Sequence, residues 1–127
     1  RKEELGPSHV DVAASYNNLG IVYKNTGDLE KAKEYCERAL EIRKEQLSPN
    51  HVDVATSYNN LGIVYRNTGD LDKAKEYYER ALEIRKEQLG PNHVEVAASY
   101  NNLGIVYSET GDLDKAKELV SSMGAGN

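Results

Sequence analysis

Residues Ser57 to Ala74 read SYNNLGIVYRNTGDLDKA, and almost the same run occurs twice more, around Tyr16-Asn17-Asn18-Leu19-Gly20 and Tyr100-Asn101-Asn102-Leu103-Gly104. Tyr16, Tyr58 and Tyr100 stand 42 residues apart. Self-similarity at a fixed period of this size predicts stacked supersecondary units, each of which hides its apolar face only against a neighbour.

Working outward from that run, each copy opens on a capping pattern: Ser8-His9-Val10-Asp11, Asn50-His51-Val52-Asp53 and Asn92-His93-Val94-Glu95. A Ser or Asn N-cap accepts from a backbone N–H of the first turn, and the acid three residues on reaches back and complements the helix dipole. The first helix of each copy is expected to run to about Asn25, Asn67 and Glu109. Gly27, Gly69 and Gly111 then suit a left-handed stop, and Asp28, Asp70 and Asp112 cap a second helix. That helix is expected over Leu29 to Leu47 and Leu71 to Leu89. Its apolar or small residues, Leu29, Ala32, Tyr35, Cys36, Ala39, Leu40 and Ile42, recur at threes and fours. Pairs such as Glu34 with Arg38 describe a solvated outer face. Pro49 and the Gly90-Pro91 step turn the chain into the next copy.

The ends break the pattern. Arg1 to Pro7 aligns with Arg43 to Pro49 and Arg85 to Pro91, so the chain is expected to begin inside the second helix of a preceding copy. After Glu118 the third copy departs from the others, with Gly124 and Gly126 and no further periodic leucine, and its last helix is expected to fray by about Met123. The predicted organisation is one domain of 127 residues: 1–7 the end of a preceding helix, 8–49 and 50–91 full copies, and 92–127 a truncated one.

Composition narrows the function. The chain is 39% hydrophobic and 29% charged, and no apolar run approaches the roughly 20 residues that cross a bilayer. Arg1 to Leu5 does not resemble a signal peptide. A formal net charge of −5 disfavours nucleic acid and acidic membrane surfaces, because both require clustered Lys and Arg. The single cysteine, Cys36, suits a reducing compartment, and a cytoplasmic location is expected. Its counterpart one period later is Tyr78, which reads as a half-buried packing position that takes either side chain. His9, His51 and His93 stand one per copy, too far apart to converge on a metal, and are expected to pack in the capping turns. No phosphate-binding loop, carboxylate pair or nucleophile–base arrangement stands out, so neither an enzyme nor a cofactor is expected.

Tyr16-x-x-Leu19-Gly20-x-x-Tyr23, followed by Ala32, Cys36 (Tyr78 in the second copy) and Ala39, resembles the tetratricopeptide repeat, whose signature is W-x₂-L-G-x₂-Y…A-x₃-F…P. Tyr takes the place of the family's Trp. Lys44 and Lys86 stand where the closing proline is usual, and the second helix continues to Pro49 and Pro91. That lengthened unit looks like the 42-residue repeats of kinesin light chains and nephrocystin-like proteins, and the resemblance covers nearly the whole chain. It implies an all-α fold, a right-handed α-solenoid of antiparallel helix pairs.

On a helical wheel centred on Leu19, Val12, Tyr16 and Tyr23 fall beside the core, while Asn17, Ile21 and Lys24, with Asn18 and Asn25 more laterally, fall away from it. The resemblance implies that this second face lines a concave groove that holds partner peptides. Repeated along the chain, the candidate peptide-binding residues are Asn17, Asn18, Ile21, Lys24 and Asn25; Asn59, Asn60, Ile63, Arg66 and Asn67; and Asn101, Asn102 and Ile105. An Asn amide both donates and accepts, so it can hold a peptide backbone. In related repeats the second Asn of each pair does so, which singles out Asn18, Asn60 and Asn102. The same Asn residues could instead bond neighbouring helices, and the isoleucines could pack between them. Ser108 and Glu109 interrupt the row that Lys24 and Arg66 begin, so a full carboxylate clamp is not expected. A second reading is a structural spacer or self-assembly unit: near-identical copies with uncapped ends could stack head to tail between chains without a dedicated ligand.

Overall fold

The computed structural model describes residues 10–125. Among them are six helices and no strand: α1 (Val10–Thr26), α2 (Leu29–Gln46), α3 (Val52–Thr68), α4 (Leu71–Leu89), α5 (Val94–Glu109) and α6 (Leu113–Ala125). Helices α1/α2, α3/α4 and α5/α6 form hairpins; α2 packs on α3, α4 on α5, and α1 also touches α3. The result is the right-handed α-solenoid of antiparallel helix pairs that the resemblance implies.

The turns within hairpins follow the sequence closely. Gly27, Gly69 and Gly111 adopt φ of 93°, 89° and 85°, a left-handed backbone that closes the first helix without a Cβ clash. Asp28, Asp70 and Asp112 accept through Oδ1 from the backbone N–H of Lys31, Lys73 and Lys115 at 3.3, 3.2 and 3.3 Å. The caps of the first helices differ from expectation by one residue. His51 and His93, not Asn50 and Asn92, are the N-caps, and their Nδ1 atoms accept from the N–H of Asp53 and Glu95 at 3.0 Å. Nδ1 hangs from Cγ just as an Asn Oδ1 does, so imidazole reaches the same donor. The pattern beginning at Ser8 and the stretch Arg1 to Pro7 lie outside the described residues. Helix α6 continues to Ala125, past the expected fraying point at Met123.

His51→Ala is expected to cost about 1 kcal/mol through the lost cap, and His51→Asn to retain most of it, as read by urea unfolding.

Inside each of the first two hairpins a tyrosine from the second helix lies between two from the first. Tyr35 stands 5.6 Å from Tyr16 and 5.6 Å from Tyr23, and Tyr77 stands 5.9 Å from Tyr58 and 5.6 Å from Tyr65. Such ring pairs add to area burial. Leu119 holds the corresponding place in the third hairpin.

Two repeated bonds join one hairpin to the next. The Tyr65 hydroxyl donates to Glu37 Oε2 at 2.7 Å, and the Tyr107 hydroxyl donates to Glu79. Arg43 Nη1 donates to Ser57 Oγ at 3.0 Å, and the buried Arg85 donates through Nη1 to Ser99 Oγ at 2.8 Å. Ser57, Leu61 and Tyr65 form one line along α3, so α2 lies over Leu61. This arrangement corrects the placement of Leu19 at a core centre: Leu61 and Leu103 are 0% and 1% exposed, but Leu19 is 40% exposed. Burial of this position depends on the hairpin before it, not on its own partner helix.

Candidate functional site

The first helices α1, α3 and α5 present the face on which the candidate residues were expected. At the junction of α3 and α5 these residues satisfy one another. Asn102 Nδ2 donates to Asn59 Oδ1 at 3.0 Å. Arg66 holds Glu109 in a two-pronged pair, Nε to Oε1 at 2.9 Å and Nη2 to Oε2 at 2.7 Å. This fork geometry suits guanidinium and carboxylate, and the Arg66 hydrogen bond holds the Glu109 carboxyl below its usual range.

The junction of α1 and α3 is built differently. Asn17 is buried, and its Nδ2 donates to Ser57 Oγ at 3.5 Å while its Oδ1 has no partner among the described residues. It is thus turned into helix packing, away from the open face. Asn67 stands where Glu109 stands one period later, and among the described residues Lys24 has no ion pair. Beside it opens a cleft of about 120 Å³ lined by Ile21, Lys24, Cys36, Asn60, Ile63 and Val64. Four of the expected residues, Ile21, Lys24, Asn60 and Ile63, are therefore brought together. Asn18, Asn25, Asn67, Asn101 and Ile105 are exposed on the helices, apart from this cleft.

Sequence reasoning did not place Cys36 and Val64 in the cleft wall. The available signal was the Cys36/Tyr78 exchange between otherwise similar copies. Cys36 is not half-buried, as expected, but has 0% exposure. Burial, with a smaller contribution from Glu37, pushes its thiol up to about 11, which leaves little thiolate near neutrality.

Burial also pushes the Tyr78 phenol up to about 12, and burial together with the bonds to Glu37 and Glu79 raises Tyr65 and Tyr107. All four groups hold their protons more tightly folded than unfolded. Their contribution to stability is complete below the unfolded values, about 9 for the thiol and 10 for the phenols, and is lost as pH rises through the folded ones. Urea midpoints are therefore expected to fall progressively above about pH 9, and Cys36→Ala is expected to delay the start of that fall.

Among the described residues no group of three His, Cys, Asp or Glu is placed to hold a metal ion, and no helix is long and apolar enough to cross a membrane. His51 and His93 serve as caps.

A family model described as tetratricopeptide repeat matches residues 1–45, 11–87 and 53–121. The chain belongs to the tetratricopeptide repeat family, whose members are generally protein–protein interaction scaffolds and typically not enzymes. No curated protein matches the sequence significantly. Among solved structures, BtubC (BKLC) from P. vanneervenii superposes with a TM-score of 0.82 at 32% identity, covering 87% of this chain and 44% of that one. A Podosopora anserina protein named for kinesin light chain, with nearly identical TPR-like repeats, superposes with a TM-score of 0.80 at 26% identity, covering 97% of this chain and 58% of that one. The chain thus spans less than two thirds of either structure. The TPR domain of Arabidopsis FLU, at 23% identity and a TM-score of 0.77, shares the fold.

Proposed function

We propose that this chain binds an extended segment of a partner protein along the face formed by α1, α3 and α5, within a single array divided at 8–49, 50–91 and 92–127. The observation that carries this reading is the cleft at the α1/α3 junction, where Ile21, Lys24, Asn60 and Ile63 converge. It joins apolar wall, amide and cation in one place, the mixture that an extended peptide needs for both its side chains and its backbone. Asn18 lies exposed on the same helix and adds a second amide. Asn102 gives one N–H to Asn59 and keeps its Oδ1 and second N–H for a ligand. The binding face carries no catalytic role in this reading, because Arg66 and Glu109 neutralise each other and the buried thiol is protonated.

A displayed library of random linear peptides, selected on the wild-type chain, supplies ligands for the test. Asn18→Ala combined with Asn60→Ala is expected to weaken the selected peptides by about tenfold, a loss equivalent to roughly one hydrogen bond to each amide. Unchanged affinity would reject the groove.

The second reading, stacking between copies, draws on the open face of α1. Leu19 and Val22 are 40% and 53% exposed, whereas Leu61 and Val64 are 0% and 2%. A second copy's α6 would bring Ser121 to the place that Glu37 and Glu79 occupy, so the tyrosine–glutamate bond could not form there. Sedimentation velocity at rising concentration separates the readings: a peptide-binding module stays monomeric, and a stacking unit grows.

A further inference from the structure

The near-identity of the copies makes their differences informative, and two of them bear on the cleft, one through Cys36 in its wall and one through the partner of Lys24. In the second hairpin the Tyr78 ring lies against Gly62 and its phenol reaches the field of Arg66 and Glu109. In the first hairpin Cys36 lies against Gly20 in the same way but ends at its sulfur. The space that a phenol ring takes in one copy is left open in the other, and the 120 Å³ cleft stands there, with Val64 and the two isoleucines around it. An apolar cavity of about 150 Å³ accepts a benzene-sized group, so this cleft takes one small aliphatic side chain.

The second difference is Asn67 in place of Glu109. At the α3/α5 junction the chain supplies its own carboxylate to the cation of α3. At the α1/α3 junction the corresponding cation, Lys24, faces the cleft with no carboxylate upon it among the described residues. Glu109 therefore shows which chemistry the position accepts, and the chain provides it at one junction only.

We infer that the α1/α3 cleft is the specificity pocket of the binding face, taking an aliphatic side chain of a partner peptide between Ile21 and Ile63, above the buried Cys36, with a neighbouring acidic side chain on Lys24. The α3/α5 junction is closed to the same motif by Tyr78 and Glu109. The inference rests on the groove reading above and adds the class of ligand. A single anchoring junction also sets the register of the peptide, which a face repeated identically could not do.

The test uses the full chain and the peptide library. Selection on wild type is expected to enrich an aliphatic residue next to Asp or Glu. Cys36→Tyr, which installs the residue of the second copy, and Cys36→Leu, a smaller filling, are each expected to weaken the selected peptides by about tenfold. Lys24→Glu should do the same and reduce the dependence on salt. Selection on Glu109→Asn should add a second acidic preference without a second aliphatic one, since Tyr78 still fills its space. Thermal unfolding confirms that each variant is folded. If the peptides lose affinity with Asn18→Ala and Asn60→Ala but tolerate filling of the cleft and reversal of Lys24, the pocket assignment is overturned and the groove stands. If they tolerate all of these, or if nothing is selected, both fall. If filling the cleft instead abolishes self-association, the occupant is a second copy and the peptide assignment is overturned.

Discussion

Leu61→Ala is expected to lower the free energy of unfolding by about 2–5 kcal/mol, and Leu19→Ala by less than about 1 kcal/mol, although the two leucines occupy the same place in successive copies. Leu61 has no exposed surface and sits between two bonds that tie α2 to α3, from Arg43 to Ser57 and from Tyr65 to Glu37. Its removal leaves a cavity that those bonds prevent from collapsing. Leu19 already meets solvent over 40% of its surface, so truncation removes few contacts. Urea unfolding of the two variants, with Leu103→Ala as a third, checks the comparison. Equal losses at residues 19 and 61 would mean that α1 is covered as α3 is.

The second large effect concerns close approach within a hairpin. A Cβ added at Gly62 would stand 2.6 Å from the Tyr78 ring, which is buried and cannot swing away. Gly62→Ala is therefore expected to cost about 1–3 kcal/mol in overpacking, offset in part by about 1 kcal/mol of improved helix propensity. At Gly104 a Cβ would meet nothing within 4 Å among the described residues. Gly104→Ala is thus expected to raise stability by up to about 1 kcal/mol, opposite in sign to Gly62→Ala. Melting temperatures of the two variants read the difference directly.

These contrasts also mark how far the residues alone carry the reading. Helices, turns and their order follow from local features: an Asp cap after a left-handed Gly, and apolar spacing of threes and fours. Local features act within a few residues, so one copy suffices to read them. The histidine caps escaped because Ser and Asn are the familiar cap residues and stand beside His in all three copies. Leu19 and Asn17 escaped for a different reason. A helical wheel describes one helix and its partner, but Asn17 is turned toward Ser57 of the next hairpin, and the position of Leu19 is buried only where a preceding hairpin lies over it, as α2 lies over Leu61. The candidate face was legible as a row of amides and isoleucines. That Asn59 and Asn102 would satisfy each other, that Arg66 would be neutralised by Glu109, and that Cys36 would leave a space were not, because each depends on distances between helices.

The two repeated bonds between hairpins are written at constant offsets, with 28 residues from Glu37 to Tyr65 and from Glu79 to Tyr107, and 14 from Arg43 to Ser57 and from Arg85 to Ser99. Because the donor and acceptor letters are the same at each seam, excising residues 50–91 would bring Glu37 to Tyr107 and Arg43 to Ser99 without altering a single matching pair. A gene encoding such seams can lengthen or shorten by unequal crossing-over and still specify a well-joined molecule, so variation in size becomes far easier to reach than variation in architecture.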